Sequence, residues 1–285
     1  MTTTPVLQIA RIVLNVADLE GACAFYTDAL GFRRLAISAQ PSAQLAVLRL
    51  GQQELELRVS GGRPYPQPRA ANDPWFQHFA IAVADMDRAY RRLTHFSHEP
   101  ISQSGPQLLP PSTGSVTAYK FRDPEGHPLE LSYIPQSDWL SQMRPDDNSP
   151  FLGIDHSAMA VRDLDASLAF YAGLLNLTET GRWLNQGPQQ ALLDDLPGAR
   201  LDIVAMQTQL AGPHIELLHY RSPISGAAPE PIGPLDVSAS RLILRVAGLD
   251  VVKARLGSAG SPSACGAGLA TQDPDGHWLE FIQPE

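Results

Sequence analysis

Two histidines occupy equivalent places in strand-like segments whose neighbouring side chains are small. His78 begins the segment HFAIAV, and His156 begins the segment HSAMAV. Because successive side chains of a strand point to opposite faces, each histidine shares its face with the alanines two and four positions later. Small neighbours leave space beside an imidazole. This pattern is expected of a hollow that receives a ligand or a metal ion.

Two glutamates lie in the middle of apolar strand-like segments. Glu130 stands in PLELSYI and Glu280 in WLEFIQ, each flanked by apolar residues that point the other way. Burying such an acid is costly unless a cation meets it, and either a metal ion or an arginine would serve. A histidine with two carboxylates suits Fe(II), Mn, Zn or Ni and leaves positions open for water or substrate.

These residues belong to a module that occurs four times. The segments IARIVLNVADLEGACAFYTDALGF and IDHSAMAVRDLDASLAFYAGLLNL both read as an alternating strand followed by a helix. Asp18 and Asp163 are placed to cap the helices, and Gly31 and Asn176 to close them. Fainter copies begin at positions 78 and 241. We therefore expect four copies of one strand-helix unit.

The ends of the copies complete the module. FRDPEGHPLELSYI and TQDPDGHWLEFIQ share an Asp-Pro-acid-Gly-His turn followed by a strand, which predicts a hairpin. The module thus reads β-α-β-β-β and the fold class is α+β. We expect a first domain over residues 1–135, a polar linker over 136–150 and a second domain over 151–285, with each cup closing within its own half.

Composition narrows the functional classes. Of the 285 residues, 44% are hydrophobic and 18% are charged, with a net charge of −9, which is typical of a soluble globular protein. No cluster of basic residues favours nucleic acid, and no apolar run is long enough to span a membrane. With two cysteines and no secretory signal, we expect a cytoplasmic protein without disulfides, as a monomer or homodimer.

The repeat resembles the vicinal oxygen chelate (VOC) superfamily, which includes glyoxalase I, bleomycin-resistance proteins, methylmalonyl-CoA epimerase and extradiol ring-cleaving dioxygenases. The resemblance covers nearly the whole chain. It is carried by V-x-D-L and a later F-Y at both half starts, and by D-P-[DE]-G-H-x-L-E at both half ends. It implies two cup-shaped domains, each made of two modules around a divalent metal ion that binds a small molecule with vicinal oxygens.

The same resemblance implies a set of metal ligands, and in each half an arginine stands where the family has one of them. An arginine has no lone pair to give a metal ion, so each half keeps one histidine and two glutamates. The resemblance also makes Glu216, Glu280 and Glu130 the candidate catalytic bases, and it favours the second half as the place of the chemistry. The candidate metal ligands are His78, Glu130 and Glu56 in the first half and His156, Glu216 and Glu280 in the second, while Arg11 and Arg241 replace a usual ligand.

Two alternatives do without a metal. One is a cup that binds an aromatic or drug-like compound, as bleomycin-resistance proteins do, and the other is a scaffold without catalysis. In both, buried ion pairs would take the place of the metal ion in each cup. Arg11 would pair with Glu56 or Glu130, and Arg241 with Glu216 or Glu280.

Among the enzymes of the resemblance, extradiol dioxygenases fit less well than glyoxalases or epimerases. Lys120 and Ala270 stand where those dioxygenases carry a tyrosine before the final Asp-Pro turn. Two retained glutamates favour lyase or isomerase chemistry, because one of them can act as a general base. His214 is a reserve ligand, and Asn185 is among the residues that could reach a cup.

Overall fold

The computed structural model describes residues 6–40, 43–135, 149–224, 226, 231–263 and 268–283. Most of the expected linker 136–150 and Cys265 lie outside these residues. Cys23 is buried and is a free thiol. Within the described ranges, no helix combines the length and the apolar composition needed to cross a lipid bilayer.

The first two modules follow the expected order of elements. Module 1 consists of β1 (Val6–Val16), α1 (Leu19–Ala24) with a π-helical turn (Phe25–Ala29), β2 (Arg33–Gln40), β3 (Ala43–Leu50) and β4 (Gln53–Val59). Module 2 consists of β5 (Gln77–Val83), α2 (Met86–Leu93), β6 (Glu99–Pro100), β7 (Gln107–Leu108), a 3-10 turn (Pro111–Thr113), β8 (Thr117–Arg122) and β9 (Pro128–Tyr133).

The last two modules repeat this order, with one added helix. Module 3 consists of β10 (Phe151–Ala160), α3 (Leu164–Leu168) with a π-helical turn (Ala169–Leu174), β11 (Thr178–Gln186), the added α4 (Pro188–Asp194), β12 (Arg200–Gln207) and β13 (His214–Ser222). Module 4 consists of β14 (Arg241–Val246), α5 (Leu249–Leu256) with a 3-10 turn (Gly257–Ala259), β15 (Ser261–Pro262), β16 (Leu269–Gln272) and β17 (Trp278–Ile282).

The helix ends form as the sequence predicts. The Asp18 carboxylate accepts a hydrogen bond from the amide of Gly21 at 3.0 Å, and that of Asp163 from the amide of Ala166 at 3.0 Å. Asn176, with a φ of 62°, lies after the π-helical turn in the left-handed region where a helix commonly ends. The four β-α-β-β-β modules and the α+β class are confirmed.

The modules pair across the halves, so the expectation that each cup closes within its own half was wrong. Sheet A has the order β15-β16-β17-β14-β1-β4-β3-β2 and unites modules 1 and 4. Sheet B has the order β11-β12-β13-β10-β5-β9-β8-β6, with β7 beside β8, and unites modules 2 and 3. The first strands of the paired modules meet in antiparallel fashion, β1 with β14 and β10 with β5.

Within a half, modules instead pack through the faces that carry their helices. Leu14 of sheet A and Phe79 of sheet B belong to the same apolar core. The rings of Tyr26 and Phe79 lie 6.4 Å apart between centroids. Because the apolar side chains of each strand point to this shared core, the alternate side chains point away from it and line the two cups.

The Asp-Pro-acid-Gly-His turn fastens this packing. Asp123 accepts a hydrogen bond from the Tyr26 hydroxyl at 2.7 Å, and Glu125 accepts one from the backbone amide of Asp18 at 2.8 Å. His127 Nε2 lies 3.0 Å from the carbonyl oxygen of Asn15. The second half repeats the tyrosine bond, from Tyr171 to Asp273, at 2.9 Å. The sequence motif shared by both halves therefore joins module 1 to module 2 and module 3 to module 4.

Replacing Tyr26 by phenylalanine is expected to lower the free energy of unfolding by about 1–3 kcal/mol, because one oxygen of the buried Asp123 loses its donor. Urea denaturation followed by circular dichroism measures the change. Tyr133→Phe is the control, since that tyrosine is 39% exposed. If the two variants are equally stable, the tyrosine bond does not contribute to joining the modules.

Candidate metal centre

Four strands of sheet B bring two histidines and two glutamates to one side of the sheet. His78 lies on β5 and Glu130 on β9 of module 2, and His156 lies on β10 and Glu216 on β13 of module 3. In the strand register, Ala158 is opposite both His78 and Glu216. We call this face, defined by the four ionisable residues, the histidine cup.

The register is symmetric about the contact between β5 and β10. Ala80 is opposite His156 on one side and Glu130 on the other, just as Ala158 is opposite His78 and Glu216. The alanines predicted to leave space beside each imidazole therefore lie beside the histidine of the partner module. Each half contributes one histidine and one glutamate to the cup.

The four side chains are close to one another. His78 Nε2 lies 3.5 Å from Glu130 Oε2, and His156 Nε2 lies 3.6 Å from Glu216 Oε2. The centroids of the two imidazoles are 5.8 Å apart. The ligand atoms of His78, Glu130 and His156 all lie within 4.8 Å of one another, which is a spacing that could hold a metal ion. His214, the reserve ligand, has its Nε2 atom 3.4 Å from Glu216 Oε1.

His78 is buried and its ring has no hydrogen-bond partner among the described residues. Its side chain is 2% exposed, and neither Nδ1 nor Nε2 makes a well-formed hydrogen bond, since the Glu130 carboxylate lies 3.5 Å from Nε2, at the limit of a weak contact. Burial lowers the pKa of His78, and the Glu130 carboxylate opposes this only in part. The imidazole is therefore held neutral, with a lone pair available. Buried polar atoms without partners are rare in folded proteins, so this ring fits a ligand that the chain itself does not provide.

His156 is oriented by the residue that precedes it. The strand register shifts between Ile154 and His156, and such a bulge turns neighbouring side chains toward the same side. Asp155 Oδ2 thereby lies 2.9 Å from His156 Nδ1, while Nε2 faces Glu216. Burial alone would lower the pKa of His156, but the carboxylates of Glu216 and Asp155 outweigh it and raise the pKa to about 9. A metal ion that binds at Nε2 would therefore displace a proton from this ring.

The two glutamates differ in their surroundings. Glu130 accepts a hydrogen bond from the Ser132 hydroxyl and lies 3.9 Å from the ammonium group of Lys120. Despite its burial, His78 and Lys120 hold the pKa of Glu130 far below its usual value. Burial of Glu216 is likewise outweighed, here by the charges of His156 and His214, which lower its pKa to about 2. Both groups are carboxylates at neutral pH.

A cavity of about 350 Å³ opens beside these residues. Its polar side also contains Lys120, Asn185 and Gln190. The remaining wall is mainly apolar and includes Leu109, Val116, Ile134, Trp183, Leu193, Ile203 and Leu218. The volume lies within the range of small-molecule sites, and the mixture of an apolar wall with a few polar groups is their usual composition.

Helix α4 forms part of this wall and is fastened to module 2. Lys120 Nζ lies 2.6 Å from Asp194 Oδ1, and both side chains are buried. The Ser102 hydroxyl donates to the carbonyl oxygen of Leu193 at 2.9 Å. Asp194 and Gln190 were not predicted as site residues, because nothing in their local sequence pattern indicates that a helix between two strands reaches a cup shared with another module.

The equivalent face of sheet A contains ion pairs in place of the histidines. Arg11 and Arg241 take the register positions of His156 and His78, because Val13 is opposite Arg241 and Glu56 while Ile243 is opposite Arg11 and Glu280. We call this face, defined by the two arginines and two glutamates, the arginine cup.

The bonds of the arginine cup neutralise its glutamates. Arg11 Nη1 donates to Glu56 at 2.8 Å, and Arg241 Nη1 donates to Glu280 at 2.8 Å. Arg58 donates to Glu56 as well. Glu54, next to Glu56 on the same face, also pairs with Arg11, at 2.8 Å. This pairing is the alternative in which an arginine rather than a metal ion meets the buried acid.

The expected grouping of ligands by half was therefore wrong. Glu280 lies on sheet A and does not join His156 and Glu216, and Glu56 likewise does not join His78 and Glu130. The two arginines do not remove one ligand from each of two sites. Both fall in one cup, and the other cup retains a full set of four.

Comparisons with known proteins agree with the resemblance seen in the sequence. The family model described as the glyoxalase/bleomycin resistance protein/dioxygenase superfamily matches residues 8–131 and 153–281. Glyoxalase I from Zea mays is 17% identical to this chain with a TM-score of 0.64, over 97% of this chain and 92% of that one. A "putative dioxygenase" from Bacillus subtilis is 13% identical with a TM-score of 0.62, over 99% and 86%. No curated protein matches the chain.

Proposed function

Because this chain belongs to the glyoxalase/bleomycin resistance protein/dioxygenase superfamily, we propose that it is a metal-dependent lyase or isomerase that moves a proton within a small molecule carrying vicinal oxygens. The observation that carries the proposal is the grouping of His78, Glu130 and His156 at a spacing that could hold a metal ion, beside a cavity that Glu216 also lines. The chain would hold one metal ion, in the histidine cup.

The donor set fits a divalent metal ion. Two imidazole nitrogens and two carboxylates suit Fe(II), Mn, Zn or Ni. The ring of His78, which has no hydrogen-bond partner among the described residues, supplies one donor. The contact of Asp155 with Nδ1 directs His156 Nε2 toward the cup, and metal-binding histidines are commonly oriented by a carboxylate at their other ring nitrogen. A divalent ion bound there would polarise two adjacent oxygens of a substrate and stabilise the negative charge that develops when a neighbouring C–H proton leaves.

Two glutamates favour proton transfer over oxygen chemistry. We assign Glu130 the role of an anchored ligand, since Ser132 and Lys120 hold its carboxylate. Among the described residues, Glu216 pairs with His156 and His214, and its side chain is the more exposed of the two acids, at 17% against 9% for Glu130. Glu216 is therefore the better candidate for a general base that takes the proton from carbon and returns it.

The cavity walls support the same chemistry. Leu109, Val116 and Ile203 contribute apolar side chains to the cavity wall, and electrostatic interactions are stronger beside such low-dielectric surfaces than in bulk water. Lys120 occupies the position at which the extradiol dioxygenases of the family carry a tyrosine, and it is neutralised by Asp194. We therefore place ring cleavage second and metal-free binding of a small molecule third.

The proposal is tested by the metal content of the protein and by deuterium exchange. Protein purified without chelator is expected to contain one divalent ion per chain by mass spectrometry. In D₂O it should exchange a C–H proton of at least one member of a panel of α-hydroxy ketones, 2-hydroxy acids and 2-oxo acids, as seen by NMR. EDTA should abolish the exchange, and added metal should restore it.

Each contrary result has a distinct meaning. Oxygen uptake with catechols would establish ring cleavage instead, and chelator-insensitive ligand binding by a metal-free protein would establish a binding protein. If Glu216→Gln retains its metal and exchanges protons at the wild-type rate, Glu216 is not the base.

A further inference from the structure

Besides His78, a second polar residue of the cavity wall has an atom without a hydrogen-bond partner among the described residues. Asn185 lies on β11, lines the cavity and is 5% exposed. Its Oδ1 atom is buried and makes no hydrogen bond with any described residue. A buried carbonyl oxygen without a donor costs the protein a hydrogen bond that it would have made with water.

The orientation of the Asn185 amide is set by a chain of hydrogen bonds that begins at a charged residue. Asp194 accepts hydrogen bonds from Lys120 Nζ at 2.6 Å and from the Tyr220 hydroxyl at 3.0 Å. The carboxylate of Asp194 can only accept, so Gln190 must turn its NH₂ group toward it, and Gln190 Nε2 lies 2.7 Å from Asp194 Oδ2.

The same argument extends one residue further. With its NH₂ group committed to Asp194, Gln190 presents Oε1 to Asn185, and Oε1 can only accept. Asn185 must therefore donate from Nδ2, which lies 3.0 Å from Gln190 Oε1. A flipped Asn185 would place two acceptors in contact. The free atom of Asn185 is thus fixed as the carbonyl oxygen, an acceptor that requires a donor from elsewhere.

We propose that Asn185 Oδ1 accepts a hydrogen bond from a hydroxyl or N–H group of the substrate. The substrate class is then a small molecule with three features: vicinal oxygens for the metal ion, an apolar body for the wall of Leu109, Val116 and Ile203, and a separate hydroxyl or N–H group for Asn185. This inference rests on the proposed function, because it takes the cavity as the substrate site. Lys120, Asp194 and Gln190 act as positioning residues for that acceptor.

Matched pairs of small chelating acids test the inference in the metal-loaded full-length protein. The pairs are 2-hydroxybutyrate with 2,4-dihydroxybutyrate, 2-hydroxyvalerate with 2,5-dihydroxyvalerate, and phenyllactate with 4-hydroxyphenyllactate. At least one hydroxylated member should bind about tenfold more tightly than its parent by calorimetry, because it satisfies a buried acceptor. Asn185→Leu should abolish that advantage, and Gln190→Met should reduce it by freeing the amide to turn.

Controls separate this inference from the proposed function. Gln189→Leu changes an exposed residue of the same helix and should leave the preference unchanged. Metal content and thermal unfolding of each variant report whether the cup is intact. The inference is overturned if no hydroxylated acid binds better than its parent, or if the preference survives in Asn185→Leu. Metal-dependent binding of the parent acids without a preference would overturn the inference alone, whereas a protein without metal would overturn the proposed function.

Discussion

Replacing either His78 or His156 by alanine is expected to remove the metal ion that we propose for the histidine cup. The two histidines lie in different halves of the sequence, yet their ring centroids are 5.8 Å apart in one cup. Structural zinc sites in small peptides are worth about 10–16 kcal/mol, and loss of one of four ligands should weaken binding by roughly 100-fold or more. Dialysis against a chelator should therefore strip the ion from the variants and leave it in the wild type. Metal analysis after dialysis and a competition titration with a coloured chelator measure the effect.

The stoichiometry decides between two architectures. With one site per half, the wild type would bind two ions and each histidine variant would retain one. With a single site between modules 2 and 3, the wild type binds one ion and each variant binds none. His95→Ala, at an exposed position, is the control and should retain its metal. A wild type with two ions per chain and a His78→Ala variant with one would refute the shared site.

The strand and helix pattern of this protein was readable because it is local. Asp18 and Asp163 cap their helices through bonds to amides three residues later, and a neighbourhood of that length is visible in sequence. Strand alternation likewise predicts that His78 and His156 share a face with the alanines two residues later, and that Glu130 points away from its flanking leucines. These predictions depend on the periodicity of apolar residues, which is visible in the sequence without knowledge of the tertiary contacts.

The pairing of modules could not be read in the same way. Four similar modules present similar strand edges, so the apolar pattern is satisfied whichever two modules share a sheet. The choice is made by distant contacts, among them the Tyr26 bond to Asp123, which packs modules 1 and 2 through their helix-bearing faces. One signal was available: the two arginines occur in modules 1 and 4, and the two first-strand histidines in modules 2 and 3. Two modules that carry the same residue type at this position are consistent with two modules that share a cup.

The residues that complete the cavity were harder still to foresee. Asp155 contacts His156 because of a bulge in β10, and the sequence of the strand does not indicate a one-residue shift in register. Asp194 and Gln190 come from a helix inserted between two strands of module 3, and Lys120, which pairs with Asp194, belongs to module 2. Asn185 was noted as a residue that could reach a cup, but its free oxygen depends on the whole chain of hydrogen bonds.

Replacing Arg241 by alanine is expected to destabilise the protein by about 3–5 kcal/mol, because it leaves a buried carboxylate without its main partner. The side chains of Arg241 and Glu280 are each 4% exposed, and their Nη1 and Oε1 atoms are 2.8 Å apart. Burial raises the pKa of Glu280, but the bonds to Arg241 and Ser263 outweigh it and lower the pKa. Without the arginine, the nearest remaining guanidinium is that of Arg58, at 3.9 Å.

Urea denaturation of matched variants isolates the contribution of the pair. Arg241→Met combined with Glu280→Leu should recover most of the loss, since it removes both charges from the buried site. Arg182→Ala is the surface control: it breaks an exposed pair with Glu179 and should cost less than about 1 kcal/mol.

Metal content separates this effect from the histidine cup. The arginine cup belongs to sheet A and the four candidate ligands belong to sheet B, so folded Arg241→Ala protein should keep its full metal content. A loss of stability below about 1 kcal/mol would show that the pair is not needed in sheet A. Loss of metal from a folded variant would show instead that the two cups are coupled. The expected combination, low stability with full metal content, assigns the arginine cup to holding modules 1 and 4 together and leaves the chemistry to modules 2 and 3.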